Sequence, residues 1–243
     1  MNCKPIISIV VPTYNSEEFL DRVLINLIEQ KYKHKEIIVV DNFSTDDTSI
    51  IAKRWADKFY QVGPERASQM NYGIEQAKGE IIYLTGSDML RDLNYVTQGV
   101  NKIIHNGYVA VYASVLTDFR VEHYWGRVKA VERECYIGSK YESARIFLKS
   151  VWTVLGGFDT KLVGVEEDFQ HRLDRRGYKT GRIEAREYHL HECITLKEVY
   201  QKHFYYGKFA WAYLQKHKKR GWKFLNPLRN FGNRWRLLVK HPC

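Results

Sequence analysis

The sequence predicts an α/β fold with a mostly parallel central sheet and helices on both of its faces. Three observations carry that reading. Residues 6–11, 36–40 and 80–84 are apolar runs without alternation, the pattern of strands buried on both faces. Stretches with helical spacing of apolar residues separate them. Each run also empties into polar residues: Pro12, Thr13, Tyr14 and Asn15; then Asp41 to Thr48; then Thr85, Gly86, Ser87 and Asp88. Ligands of open parallel sheets bind beyond the carboxyl ends of the strands, so these clusters mark one site for a small anionic ligand.

The remaining elements follow in order. Residues 17–30 place Phe19, Leu20, Val23, Leu24, Leu27 and Ile28 on one helical face. Residues 46–59 repeat the pattern through Ile50, Ile51, Ala52, Trp55 and Phe59, with Ser44, Thr45 or Asp46 as caps. A third helix covers 68–77 and stops near Gly79, a fourth covers 93–105, and 108–114 returns as a strand. Between 118 and 140 the pattern loosens around Trp125, Gly126 and Arg127, which reads as a functional loop or an acceptor-side insertion. Residues 166–176 form a helix and 179–185 a strand; 196–217 form a long aromatic-rich helix, and 221–243 a basic amphipathic tail. The expected organisation is a main unit over 1–195 with a helical, basic extension over 196–243 packed on or beside it.

Composition narrows the classes. A chain of 243 residues with 44% hydrophobic content buries a substantial core. No apolar segment approaches the ~20 residues of a membrane span, and the first apolar stretch is too short for a signal peptide. Cys3, Cys135, Cys193 and Cys243 are scattered, so neither a zinc site nor a disulfide framework is indicated, and a cytoplasmic setting is expected. No GxGxxG follows the first strand, which argues against a dehydrogenase. The net charge of +10 is concentrated in 197–240, interleaved with Tyr, Trp and Phe. On composition alone this fits an anionic membrane surface, a nucleic acid, or a solvated helix face with a basic tail.

Val-Val-Pro-Thr-Tyr-Asn, Val-Val-Asp-Asn-Phe-Ser-Thr-Asp-Asp-Thr and Ala-Lys-Gly-Glu-Ile-Ile-Tyr-Leu-Thr-Gly-Ser-Asp-Met stand in that order. Gly156-Gly157-Phe158-Asp159, the acids at Glu166, and Arg172-Leu173 to Gly177-Tyr178 follow. Together they resemble a family 2 inverting glycosyltransferase of GT-A fold, over roughly four-fifths of the chain. The resemblance implies transfer of a sugar from a UDP-, GDP- or dTDP-linked donor to a glycan or lipid-linked acceptor hydroxyl, assisted by Mg²⁺ or Mn²⁺. It tilts the basic extension towards lipid, hence attachment at the cytoplasmic membrane face, with no nucleic acid expected.

That chemistry assigns the residues. Pro12, Thr13, Tyr14, Asn15, Asp41 and Asn42 would hold base and ribose, with Gln69 and Ser87 alongside; the family pattern has a second Asp where this chain has Asn42. An Asx-turn with helix capping is the plainer role for this loop. Arg66 is either a diphosphate contact or a surface ion pair. Asp88 matches the last carboxylate of the family's Asp-X-Asp metal motif, whose first position is Gly86 here. His189 and His191 share one strand face, and His191 is the preferred metal or diphosphate contact. The catalytic acids are Glu166, Glu167 and Asp168. Ungapped alignment makes Glu166 the general base, and a gapped one makes it Asp168. A sugar-nucleotide pyrophosphorylase would carry a glycine-rich, Arg-containing loop after the first strand, which residues 12–15 lack. A non-catalytic binding module would leave the acids and Asp88 without a role.

Overall fold

The computed structural model describes residues 4–117, 137, 142–162, 164–190, 195–198, 200, 201, 204, 207 and 213–217. The main sheet has seven strands in the order β3-β2-β1-β4-β8-β6-β9. They are β1 (Ile7–Thr13), β2 (Lys35–Asp41), β3 (Lys58–Gln61), β4 (Ile81–Leu84), β6 (Ala110–Tyr112), β8 (Ile146–Leu148) and β9 (Thr180–Arg182). All neighbours are parallel except β8, which runs antiparallel to β4 and β6. A second sheet joins β5 (Met89–Arg91), β10 (Glu187–His189) and β7 (Val115–Thr117) beside it. The expected mostly parallel sheet with helices on both faces is the observed one.

The apolar runs alternate between two cores. Ile7, Ile9, Val11, Ile37 and Val39 face one layer with α1 (Glu17–Ile28), α2 (Thr48–Trp55) and α4 (Tyr95–Asn106). Val10, Ile38, Val40, Ile82 and Leu84 face the other, with α3 (Arg66–Glu75), α5 (Lys149–Val154) and α6 (Val165–Arg175). Burial on both faces removes the polar alternation of a half-solvated strand. Gly73 lets α3 approach this sheet closely, since a Cβ there would lie 2.5 Å from Val10 Cγ1. One turn earlier Gln69 Nε2 therefore reaches the carbonyls of Thr13 (2.8 Å) and Val40 (2.7 Å), clamping the ends of β1 and β2 together.

Three sequence expectations are corrected. The helix expected over 46–59 ends at Trp55: Ala56 is extended at φ −82°, ψ 146°, and Asp57 Oδ2 accepts from Ile37 N at 2.8 Å. Phe59 thus lies on the edge strand β3. The strand expected over 108–114 shortens to β6, and β7 follows it in a different sheet, with Ala113 and Ser114 at the crossing. The strand expected over 179–185 shortens to β9, and the chain re-enters the second sheet as β10. The loop 118–140 lies outside the described residues except Ile137, as does the tail 221–243. Of the aromatic-rich helix, the described residues from Leu196 to His217 are helical.

Candidate functional site

The carboxyl ends of β1, β2 and β4 bring the first polar clusters together. Thr13 and Asp41 are register partners at the ends of β1 and β2. Asp41 is fully buried, and its carboxylate accepts from Thr13 Oγ1 (3.1 Å), Ser44 N (2.9 Å), Ser44 Oγ and Gln61 Nε2 (3.3 Å). Neutral donors hold both oxygens. The loop after β1 is tied to the loop after β2: Asn15 N donates to Ser44 Oγ at 2.8 Å and Thr45 N to Asn15 Oδ1 at 3.0 Å. Both loops are strained where they meet, with Asn15 at φ 44° and Phe43 at φ 52°. A bulky residue with positive φ persists only where its surroundings over-determine it. Tyr14 and Phe43 leave their rings exposed at this edge.

Asn42 explains its own departure from the family pattern. Its Nδ2 donates to Pro64 O at 3.0 Å, a bond that an ionised carboxylate has no proton to make. The amide thereby fastens the loop after β2 to the segment leading into Arg66. Pro12 is buried in β1, and Ser87 Oγ lies 2.8 Å from Ser16 Oγ, linking the third cluster to the first.

Beyond β4, Asp88 Oδ2 stands 3.3 Å from His189 Nε2. Strand pairing causes this: β10 runs antiparallel to β5 with His189 opposite Met89, and Leu190 N donates to Asp88 O at 2.8 Å. His191, the preferred histidine from sequence, lies outside the described residues. Among the described residues no three His, Cys, Asp or Glu side chains converge. A carboxylate and an imidazole still fit a hard divalent ion that keeps water and takes further oxygens from a diphosphate.

The acidic trio opens α6, where carboxylates complement the helix dipole. Its members have different surroundings. Asp168 is fully buried and meets Arg172 Nε (2.9 Å), His217 Nε2 (2.9 Å) and Lys216 Nζ (3.1 Å). Arg172 also donates to the carbonyls of Leu155 (2.6 Å) and Gly157 (2.7 Å), locking the left-handed Gly156-Gly157 turn against α6. Phe158 is fixed in the core by Asn71, which bonds both its N and its O at 2.9 Å. The Gly-Gly-Phe-Asp motif is thus architecture that aims α6.

Glu166 instead receives two guanidiniums on one oxygen: Arg66 Nη1 at 2.7 Å and Arg145 Nη1 at 3.0 Å from Oε1. Burial alone would raise its carboxyl, but the charges of Arg66 and then Arg145 win and hold it at about 2. Glu167 moves the other way, raised by burial and then by the charge of Glu166. Arg145 was not singled out from sequence, since no motif surrounds it.

The site thus sets a polar loop edge, a carboxylate–imidazole pair and a charged acid at the same end of the sheet. The family model for Glycosyl transferase family 2 matches residues 8–204. The chain belongs to this family. An uncharacterised glycosyltransferase of Rickettsia typhi is 34% identical over 113 residues, covering 44% of this chain and 36% of its own. A Campylobacter jejuni protein named as a GalNAc(5)-diNAcBac-PP-undecaprenol β-1,3-glucosyltransferase is 30% identical over 127 residues, 47% of this chain and 39% of its own. The chain spans less than half the length of these relatives. Among solved structures, a Pyrobaculum calidifontis mannosyltransferase in complex with GDP-Man and Mn²⁺ aligns with TM-score 0.61 at 22% identity, over 78% of this chain and 58% of that one. Glucosyl-3-phosphoglycerate synthase of Mycobacterium tuberculosis, with phosphoglyceric acid, aligns with TM-score 0.59 at 20% identity, over 80% and 75%. At these identities the likeness supports the GT-A fold. Family membership favours the transferase reading over the pyrophosphorylase and binding-module alternatives.

Proposed function

We propose that the enzyme transfers a sugar from a nucleotide-diphospho-sugar to an acceptor hydroxyl with inversion at the anomeric carbon. The observation that carries this is the placement of Glu166 and Arg66 at the strand ends that also hold Thr13, Asp41 and Asp88. Thr13, Tyr14, Asn15 and Asn42 receive the base and ribose, on loops that Asp41 and Gln69 fix. The acceptor oxygen attacks the anomeric carbon, the bond to the diphosphate breaks on the opposite face, and Glu166 takes the hydroxyl proton. Glu166 is preferred to Asp168 because Asp168 is buried at 0% exposure and its partner Arg172 is itself tied to the Leu155 and Gly157 carbonyls, whereas the Arg66 beside Glu166 is half-exposed. Arg66 faces the negative charge that develops on the leaving group. Mg²⁺ or Mn²⁺, held by Asp88 and His189, would supply further electrostatic stabilisation of the departing diphosphate.

The acceptor is a glycan or lipid-linked sugar, and the basic, aromatic run over 197–240 attaches the enzyme to an anionic membrane surface on the cytoplasmic side. Two features support this: the charge of +10 and the undecaprenol-linked substrate in the name of the Campylobacter relative. Among the described residues no helix is long and apolar enough to cross a membrane; the attachment proposed is peripheral. Incubation with UDP-, GDP- and dTDP-sugars tests the donor reading. Divalent-dependent release of one nucleoside diphosphate is expected, and no release from any of them would refute it.

A further inference from the structure

The Glu166 contacts pose a chemical problem. A carboxylate held at about 2 has little proton affinity for an acceptor hydroxyl. The groups that suppress it come from two other segments. Arg66 begins α3, and its side chain is 47% exposed. Arg145 precedes β8, and its side chain is 23% exposed. The backbone of Arg145 is pinned in the sheet: its N donates to Val111 O at 3.0 Å, and its O accepts from Leu84 N at 2.8 Å. That places Arg145 beside the end of β4, four residues before Asp88. Two guanidiniums thus stand at the strand ends against a single carboxylate oxygen. The other charged and titratable groups facing this knot are Glu167 on α6 and, behind Arg145, Glu187 of β10 and Tyr95 of α4.

We infer that Arg145 is a second diphosphate-binding residue, and that Arg66 and Arg145 are shared between Glu166 and the donor diphosphate, so that donor binding frees the base. This rests on the donor reading above. A diphosphate offers more negative charge and more acceptor oxygens than one carboxylate, and guanidinium forks pair with phosphate oxygens two at a time. A diphosphate near Asp88 therefore competes for both arginines. Once they turn to it, Glu166 is a buried carboxylate beside Glu167, where burial and like charge both raise proton affinity. The base becomes competent only with donor in place, and the same arginines then face the leaving group.

Competition has a directional signature. Removing the charge of Glu166 releases the arginines to the ligand, so Glu166→Gln should bind nucleoside diphosphate several-fold more tightly than the wild type while losing turnover. Arg145→Gln should bind it about tenfold more weakly. Calorimetry with UDP, GDP and dTDP in MgCl₂ reads both, and circular dichroism confirms that each variant is folded. Arg66→Gln, altering a half-exposed side chain, serves as the second arginine variant if Arg145→Gln does not fold. Tighter binding by Glu166→Gln with weaker binding by the arginine variant supports the shared clamp. Unchanged or weaker binding by Glu166→Gln overturns it and leaves the donor reading intact. No binding of any of the three nucleotides by the wild type overturns the donor reading, and the clamp with it.

Discussion

Asp41 and Glu166 are both buried carboxylates at the carboxyl end of the sheet, yet they are held in opposite ways. Asp41 is bound by hydroxyls, an amide and a backbone N–H, from its own strand end and its neighbours. Glu166 is bound by two cations, from segments 100 and 21 residues away. Neutral donors fixed by a loop fasten that loop and have no reason to leave. Cations on partly exposed side chains can be claimed by a stronger anion. The difference teaches that burial alone does not set a carboxylate's surroundings; on the proposed reading, the charge and origin of its partners are what separate the reactive Glu166 from the fastening Asp41.

Asp88→Asn tests whether the third cluster belongs with the reactive region. Loss of its charge should reduce divalent-stimulated turnover by about 10²-fold or more and weaken Mn²⁺ binding, read by electron paramagnetic resonance. Full metal stimulation with undiminished Mn²⁺ affinity would remove Asp88 from that region. Asp41→Asn tests the fastener. It turns an acceptor towards donors as an NH₂ group, and the fold should lose about 2 kcal/mol in urea denaturation. An unchanged midpoint would mean that the loop does not depend on those bonds.

The smallest effect concerns pH. The folded-state value of Glu166, about 2, lies below its ordinary 4.5. Its ionised form therefore stabilises the fold above that ordinary value, and the contribution is lost as pH falls towards the folded value. Solvent around the half-exposed Arg66 limits its size. The stability gap between wild type and Glu166→Gln should be present at pH 7 and shrink at pH 3. A gap of constant size would break the link between this carboxylate and its arginines.

Much of the frame was legible. Strands β1, β2 and β4 announced themselves because burial on both faces leaves only apolar residues, and α1 and α4 because one buried face imposes helical spacing. The edge strand β3 was hidden: Lys58-Phe59-Tyr60-Gln61 is short and mixed, and Phe59 completed a helical pattern that Ala56 breaks. Strand β8 carries only three residues, too few to show a period. Motif order along the chain pointed to Thr13, Asp41, Asp88 and Glu166, which the structure sets at the same end of the sheet. Contacts made by strand register were illegible. His189 meets Asp88 through the pairing of β10 with β5, and Arg145 meets Glu166 across separate elements; neither alignment is written in local spacing.

The central claim is that Glu166, and not the neighbouring Asp168, takes the acceptor proton. Turnover of Glu166→Gln and Asp168→Asn, each normalised to its folded fraction and measured with the donor that the wild type uses, tests it most directly. The account predicts a loss of about 10²–10⁴-fold for Glu166→Gln and substantial retained activity per folded molecule for Asp168→Asn. An active Glu166→Gln beside a folded but inactive Asp168→Asn would contradict it.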